Sequence, residues 1–217
     1  MKLLPVLFAS LCVMSASADP ALIGTTHGVS PCDSECASEI VASVPAGSSG
    51  ELLVLILSAG PTIDAGPQCP AVSDAGWSQV FSIGAGGPST GRALCGYSKV
   101  SDGTESSVTV VRPDFDGVVW FVARVSGASS ILVATSGGTN PPAVNFGSAG
   151  TSVVLAAAYC KATVPPAGYT LDFAAGTGYA RGASLSVADI LAFGSSEDPS
   201  GFTPNQPGAI TATIGIR

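Results

Sequence analysis

Residues 50–58 read Gly-Glu-Leu-Leu-Val-Leu-Ile-Leu-Ser, and residues 152–160 read Ser-Val-Val-Leu-Ala-Ala-Ala-Tyr-Cys. Each run is short and almost continuously apolar, which is typical of a strand covered on both faces. Each is followed by an Ala-Gly-aromatic triplet, a glycine-rich loop and a late strand that ends in arginine. The matching residues are Ala75-Gly76-Trp77 and Ala167-Gly168-Tyr169, then Arg124 and Arg217. The pattern predicts the same unit twice, over residues 45–127 and 128–217.

The composition predicts an all-β fold. The chain has 27 Gly, 16 Pro and 11% charged residues, whereas an average soluble domain has roughly 25% charged residues. Short apolar runs alternate with Gly/Pro/Ser/Asp clusters, and no long segment keeps a helical period. We therefore expect one domain over residues 45–217, a two-sheet antiparallel β-sandwich with jelly-roll-like connectivity built from two similar halves.

Three local expectations follow from the strand patterns. Residues 19–44 are a polar, cysteine-containing lead-in whose one short strand covers residues 39–44. Residues 106–111 and 118–125 flank a turn and predict a hairpin. In the last strand, residues 210–217, apolar side chains alternate with Thr, Gly and Arg, which predicts one buried and one solvated face.

Residues 1–18 are apolar after one basic residue, Lys2, and end in Ala16-Ser17-Ala18. This is the pattern of a secretory signal cleaved before Asp19, and the segment is too short to span a bilayer as a helix. The alternative is an uncleaved apolar arm that docks on a neighbouring subunit.

Six cysteines bear on the same choice. Cleavage after Ala18 removes Cys12 and leaves five, an odd number for an exported protein. Cys32 with Cys36, and Cys69 with Cys95, are the disulfide candidates. Cys160 would then be a small buried apolar residue. A zinc site at Cys32 and Cys36 is the weaker interpretation, since no second close Cys/His pair is present.

Charge argues against nucleic-acid binding. The net charge is −7, and the eight Lys and Arg residues are spread singly along the chain. No basic stripe is available for a phosphate backbone.

The chemistry is sparse, and we expect no catalytic residues, no cofactor and no enzyme activity. Gly87-Pro88-Ser89-Thr90-Gly91 matches a nucleophile elbow, but it falls in a hairpin loop and the one histidine, His27, lies far away in sequence. The carboxylates at Glu197-Asp198 are explained by turn chemistry. Asp114 and Asp116, with Asp102 or Glu105 nearby, are a weak candidate for Ca²⁺ without the spacing of a calcium loop. No other metal site is predicted.

Three aromatic residues, Trp77, Trp120 and Tyr169, fall on strands or at their starts. Such residues are more often anchors of a sandwich core than exposed platforms for sugars. We interpret them as structural anchors.

A series of short motifs also carries a family resemblance. The motifs are Gly50-Glu51-Leu52-Leu53-Val54, Ala75-Gly76-Trp77, Leu94 to Tyr97 with Lys99-Val100, Asp102-Gly103-Thr104, and Phe121 to Gly127. In this order they resemble a β-sandwich domain common in tailed-phage virion proteins, over residues 38–217. The resemblance implies an accessory virion part that decorates a capsid or forms part of a head fibre, spike or tail.

We accordingly expect a non-enzymatic structural component of a phage-like virion, located in the virion. Its expected partners are capsid or other virion proteins and further copies of itself. The alternative is a secreted or surface adhesin that binds host-surface glycans through the loops at residues 59–75, 84–91 and 194–208.

Overall fold

The structure is a computed structural model that describes residues 18–31, 38–60, 67–87, 90–111, 117–177, 182–204 and 209–217. These residues contain strands and no helix. The strands of the first half are β1 (Ala21–Pro31), β2 (Glu39–Ser43), β3 (Leu52–Ala59), β4 (Ala71–Val72), β5 (Ser78–Ala85), β6 (Arg92–Val100), β7 (Ser107–Val111) and β8 (Gly117–Ser126). Those of the second half are β9 (Ile131–Ser136), β10 (Val144–Ala158), β11 (Thr170–Gly176), β12 (Ser184–Glu197) and β13 (Thr211–Ile216).

The strands form two five-stranded sheets and one small sheet. The order in the first large sheet, here the N-sheet, is β1-β8-β3-β6-β5. The second, the C-sheet, has the order β9-β13-β10-β12-β11, and the small sheet is β2-β7-β4. Every pairing is antiparallel. The expected all-β antiparallel β-sandwich is therefore confirmed, whereas its jelly-roll-like connectivity stays a prediction.

The two large sheets have the same strand order once β1, β3, β5, β6 and β8 are matched with β9, β10, β11, β12 and β13. The turn glycines match as well. Gly76 has φ +86° and Gly168 has φ +84°, a backbone conformation that glycine adopts without steric cost. An internal repeat would produce this correspondence. Its first copy would include β1, which starts well before residue 45.

One core lies between the two large sheets. Val54, Ile56 and Phe121 of the N-sheet pack with Leu155 and Ile214 of the C-sheet in a single buried cluster. Because each inner face is covered by the other sheet, the halves share their main source of hydrophobic stabilisation.

The outer face of each large sheet is also covered. The small sheet packs on the N-sheet, where Leu55, Trp120 and Val108 belong to a second buried cluster. On the C-sheet the cover is irregular chain that contributes Cys160 and Phe202. Both faces of β3 and of residues 152–158 of β10 are thus buried, as their apolar sequences predicted.

The edge strand β1 lies outside the sequence expectation. The lead-in over residues 19–44 was expected to hold one short strand, yet it also contains β1, which pairs with β8 along its length. Its Gly, Thr, His and Ser residues form no apolar run. The sequence signal was weak because an edge strand buries little side-chain surface.

The hairpin expected from residues 106–111 and 118–125 is wrong. β7 pairs with β2 and β4 in the small sheet, whereas β8 pairs with β1 and β3 in the N-sheet. Both strands are apolar because each packs into a buried cluster from a different sheet, β7 from the small sheet and β8 from the N-sheet.

The solvated face expected for β13 is also wrong, because every residue of β13 is buried. Thr211 and Thr213 donate their hydroxyls to the carbonyls of Asn140 and Pro142 at 3.0 and 2.5 Å. A segment without regular structure covers this face and satisfies the polar side chains.

Candidate contact surface

The end of strand β12 exposes two large apolar side chains. Leu191 is 48% exposed and Phe193 is 75% exposed. Side chains alternate along a strand, and Leu185 and Val187 of β12 lie in the shared core. Leu191 and Phe193 therefore continue the core-facing side of the C-sheet beyond the point where the core ends. We call this pair the apolar strip.

The strip lies near the end of β8, a strand of the N-sheet that contacts β12. β8 and β12 begin at the same end of the sandwich, where Ser58 of β3 donates to the carbonyl of Ser184 at 2.7 Å. A Cβ added at Gly117 would lie 2.5 Å from the Thr177 methyl group, which again brings the two strand starts together. β8 has 10 residues and β12 has 14. Counted from these starts, Leu191 and Phe193 lie near the level of the last residues of β8, and residues 194–197 extend past them.

A comparison of matching positions in the two large sheets shows that only the C-sheet has the strip. Val100 pairs with Leu52 as Phe193 pairs with Thr151 in the other sheet. Two residues earlier, β6 has Ser98 where β12 has Leu191. The N-sheet therefore exposes one smaller apolar side chain at this position, and the C-sheet exposes an aromatic and a leucine together.

Arg217 holds the projecting end of the C-sheet in place. Its Nε donates to Ser152 Oγ at 2.9 Å, and its Nη2 donates to the carbonyl of Gly194, the residue after Phe193. The guanidinium also lies over the ring of Phe146, 4.2 Å from the centroid. The strip is thus presented on a strand that is fixed from behind, as a contact surface requires.

Arg124 occupies the matching position in the N-sheet and is fully buried. It donates to the carbonyl of Pro45 at 2.7 Å, to Glu51 at 3.0 Å and to Ser101 at 2.9 Å. The backbone amide of Ser48 and then the Arg124 guanidinium lower the pKa of Glu51. The ion pair joins the end of β8 to the residue just before β3.

The motif around Asp102 is a structural turn. Asp102 accepts from the amide of Thr104 at 2.9 Å, and Lys99 pairs with Glu105 at 3.0 Å. Burial opposes ionisation of Glu105, but hydrogen bonds from Ser101, the Asp102 amide and Lys99 hold its pKa well below the usual value. These contacts stabilise the connection between β6 and β7.

Two carboxylates, Asp172 and Asp189, meet on the C-sheet. Asp172 lies at a β-bulge of the edge strand β11, between residues that pair with Ala188 and Val187. Burial and then the charge of Asp189 raise the pKa of Asp172 to about 7. The pair was not anticipated, although an aspartate between apolar residues in two neighbouring strands was a visible signal.

The other predicted site residues are dispersed or lie outside the described residues. His27 is exposed on β1 and stacks on Phe173 with ring centroids 4.3 Å apart. Asp114, Asp116, Pro88 and Ser89 lie outside the described residues. Within the described ranges, no group of three or more His, Cys, Asp or Glu residues is arranged to hold a metal ion.

The described cysteines have two different roles. Cys69 and Cys95 form a disulfide across 26 residues, which is one of the pairings considered from the sequence. Cys160 is free and buried in the outer cluster of the C-sheet, and burial raises the pKa of its thiol. Cys12, Cys32 and Cys36 lie outside the described residues.

The aromatic anchors differ in burial. Trp120 and Tyr169 are buried, and the Tyr169 hydroxyl lies 3.2 Å from Glu197. Trp77 is half-buried and packs on the edge of the outer cluster of the N-sheet. All three therefore contribute to packing.

The loops considered for glycan binding are partly ordered into strands. The segment 59–75 contains β4, and residues 194–197 belong to β12. Thr203 forms a β-bridge with Val164, and Phe202 is buried. Of these parts, Phe202 is packed inside the fold, whereas β4 and the end of β12 remain largely exposed.

Comparison with protein-family models, with curated proteins and with solved structures found no match for this chain. The likeness to virion domains therefore rests on the motif residues alone. The described part of the chain contains no helix that is long and apolar enough to cross a membrane.

Proposed function

We propose that this protein is a non-enzymatic structural component that assembles with other protein surfaces, as an accessory part of a phage-like virion. The observation that carries the proposal is the apolar strip. Phe193 is 75% exposed, and Arg217 donates a hydrogen bond to the carbonyl of the next residue, Gly194. A rigid aromatic beside a leucine has the composition of an interface core. The motif resemblance supplies the virion context.

The chemistry of the described residues agrees with a structural role. Arg124, Glu51 and Glu105 are used in ion pairs that stabilise the fold. Asp172 lies on the edge strand β11 and Asp189 on the neighbouring strand β12. Homo-oligomers are the simplest assemblies that such a surface forms, because every copy brings the same strip.

The test compares the chain that begins at Asp19, which retains every described strand, with its Leu191→Ser/Phe193→Ser variant. Sedimentation velocity should show concentration-dependent oligomers of the first and monomers of the second. Val41→Ser is the matched control, because Val41 is 67% exposed on the small sheet. A parent chain that stays monomeric and does not attach to purified particles would contradict the proposal.

A second candidate is an exported surface protein that binds glycans. Two observations favour export: the Cys69–Cys95 disulfide, which forms in oxidising compartments, and the start of β1 at Ala21, just after the predicted cleavage site. Intact mass of the native protein, with and without reduction, separates the candidates. A chain starting at Asp19 with disulfides indicates export, and glycan-array binding would then identify an adhesin. An uncleaved chain with free thiols indicates assembly in the cytoplasm.

A further inference from the structure

We infer that two copies of this chain pair through the outer edges of β1, antiparallel and related by a two-fold axis near Thr26, so that each copy covers the apolar strip of the other. The inference rests on the proposed function in one respect, that the strip is a contact surface. It identifies the partner of that surface as a second copy of the chain, and the contact as the pairing of two edge strands.

The first argument concerns the outer edge of β1. This strand has β8 on one side and no other neighbouring strand in the described part of the chain. It is the longest edge strand of the two large sheets, with 11 residues, whereas β5, β9 and β11 have 8, 6 and 7. Its bulge lies between Leu22 and Gly24, and the residues from Gly24 to Pro31 keep a regular register. It contains no Lys, Arg, Asp or Glu, although charged residues commonly keep an edge strand from pairing with another chain.

The second argument is that the two large sheets cross at an angle, as is usual in a sandwich. At the start of β8, the close approach of Gly117 to Thr177 places β8 beside the end of β11. Farther along the sandwich it is β1 that lies over β11, because His27 stacks on Phe173. β1 also contacts β10, which is separated from β11 by β12. On the way to its first residues, β1 therefore passes obliquely over β12 towards β10.

The crossing leaves an apolar surface uncovered at each end of β1. Where β1 has reached β10, the end of β12 lies outside the outer edge of β1, which is why Leu191 and Phe193 are exposed. At the opposite end, where β8 already lies beside β11, β1 itself lies outside the C-sheet. Val29 is 39% exposed there, on the same side of the strand as His27 because side chains alternate.

A second copy fits both of these surfaces at once. The exposed apolar residues of β1, Ile23 and Val29, are each three residues from Thr26. Antiparallel pairing centred on Thr26 therefore places Ile23 of each copy opposite Val29 of the other. The added strand lies about 4.8 Å outside β1, over the end of β12, and its Val29 faces the strip. The two-fold axis repeats the contact, and the apolar surfaces gain by leaving water together.

Cysteine cross-linking in the full chain tests the pairing and its register. Ile23→Cys and Val29→Cys chains are co-expressed and treated with a short thiol cross-linker, and the parent chain treated in the same way is the control. The co-expressed pair should give covalent dimers that the parent does not give. Either variant alone should give none, because equivalent positions of the two copies are about 20 Å apart in this register. Covalent dimers from Ile23→Cys alone, or none from the co-expressed pair, would overturn the inference.

Sedimentation velocity measures the strength of the pairing. Val29→Lys places a charge against the strip and should raise the dissociation constant of the dimer by about tenfold or more, because the two-fold axis applies the substitution twice. Val41→Lys is the matched control and should leave the dissociation constant unchanged, since Val41 is 67% exposed on the small sheet. A Val29→Lys variant that keeps the circular dichroism of the parent and dimerises as tightly would refute the pairing.

The two proposals fail in different ways. If Leu191→Ser/Phe193→Ser removes the oligomers while Val29→Lys retains them, the strip is a contact surface and the pairing through β1 is refuted. A parent chain that stays monomeric but attaches to purified particles would also refute the pairing and leave the proposed function standing. If the dimers form and cross-link as expected but do not attach to particles, the pairing stands and the virion role is refuted.

Discussion

The raised pKa of Asp172 makes stability depend on pH in an unusual direction. The pKa of Asp172 is raised in the folded state to about 7 by burial and by the Asp189 charge, whereas an unfolded aspartate titrates at about 4. The folded state therefore binds more protons between these values, and stability falls as pH rises from about 4 to about 7. The lowered pKa values of Glu51 and Glu105 act only at more acidic pH.

We expect the melting temperature to be lower at pH 8 than at pH 5, and Asp172→Asn to remove most of this difference. The asparagine keeps the shape of the carboxyl and cannot ionise, so the variant should also be more stable than the parent at pH 8. Thermal melts followed by circular dichroism at the two pH values measure this. Asp19→Asn, at an exposed position, is the control that should leave the pH dependence intact. An Asp172→Asn variant with the parent's full pH difference would contradict the assignment.

Arg124 and Arg217 occupy equivalent positions in the two large sheets but differ in burial. Comparing their alanine variants measures how burial of the arginine affects the free energy of unfolding. Arg124→Ala should lower the free energy of unfolding by about 3–5 kcal/mol, since it breaks a buried ion pair and leaves a cavity. Arg217 is half-buried and its contacts include exposed serine. Arg217→Ala should therefore lower the free energy of unfolding by less than Arg124→Ala does. Urea denaturation of both variants measures the two losses. Equal losses would mean that the burial difference between the two sites has no energetic weight.

The disulfide links the segment before β5 to strand β6. It stabilises the folded state by restricting the unfolded chain. Closing a loop of 26 residues reduces the entropy of the unfolded chain and is worth about 3.5 kcal/mol. The Cys69→Ala/Cys95→Ala variant should lose about this much in denaturation experiments. Cys160→Ala, which removes a buried thiol outside any disulfide, distinguishes the loss of a cross-link from the loss of a sulfur atom. A parent protein whose stability is insensitive to reductant would argue against the cross-link.

Individual strands were predictable where the sequence alone decides their burial. The runs in β3 and in residues 152–158 of β10 are apolar on both faces, so these two strands could be predicted from the sequence. β1 could not, because an edge strand of Gly, Thr and Ser lacks a periodic apolar signal.

The contact surface could not be predicted for a different reason. Leu191 and Phe193 continue the alternation of Leu185 and Val187, so in sequence they read as core residues. Whether they are buried depends on how the opposing sheet packs over them, and that sheet comes from a part of the chain distant in sequence. The threonines of β13 were predicted to face solvent for a similar reason. Their burial depends on a segment without regular structure that lies over them, and the strand's own sequence does not reveal that segment.

At the scale of the whole molecule, the shared core determines how the two halves respond to stress. Each large sheet is drawn from one half of the chain, yet the inner faces of both form one buried cluster. Separating the sheets would expose both faces to water, so neither half gains by remaining folded alone. The chain should unfold as one cooperative unit despite its internal repeat.

The distribution of tryptophan allows this to be tested directly. Both tryptophans, Trp77 and Trp120, lie in the first half, so their fluorescence reports on the N-sheet, whereas far-UV circular dichroism reports on both sheets. The two probes should give coincident denaturation curves. Leu155→Ala, which removes a fully buried side chain from the C-sheet, should lower the free energy of unfolding by about 2–5 kcal/mol. It should shift the fluorescence curve as far as the dichroism curve. Leu132→Ala, at a position 40% exposed on β9, is the control and should shift both curves little. A Leu155→Ala variant whose fluorescence transition stays in place while its dichroism transition moves would show that the repeats unfold separately, and the single-core description would then be wrong.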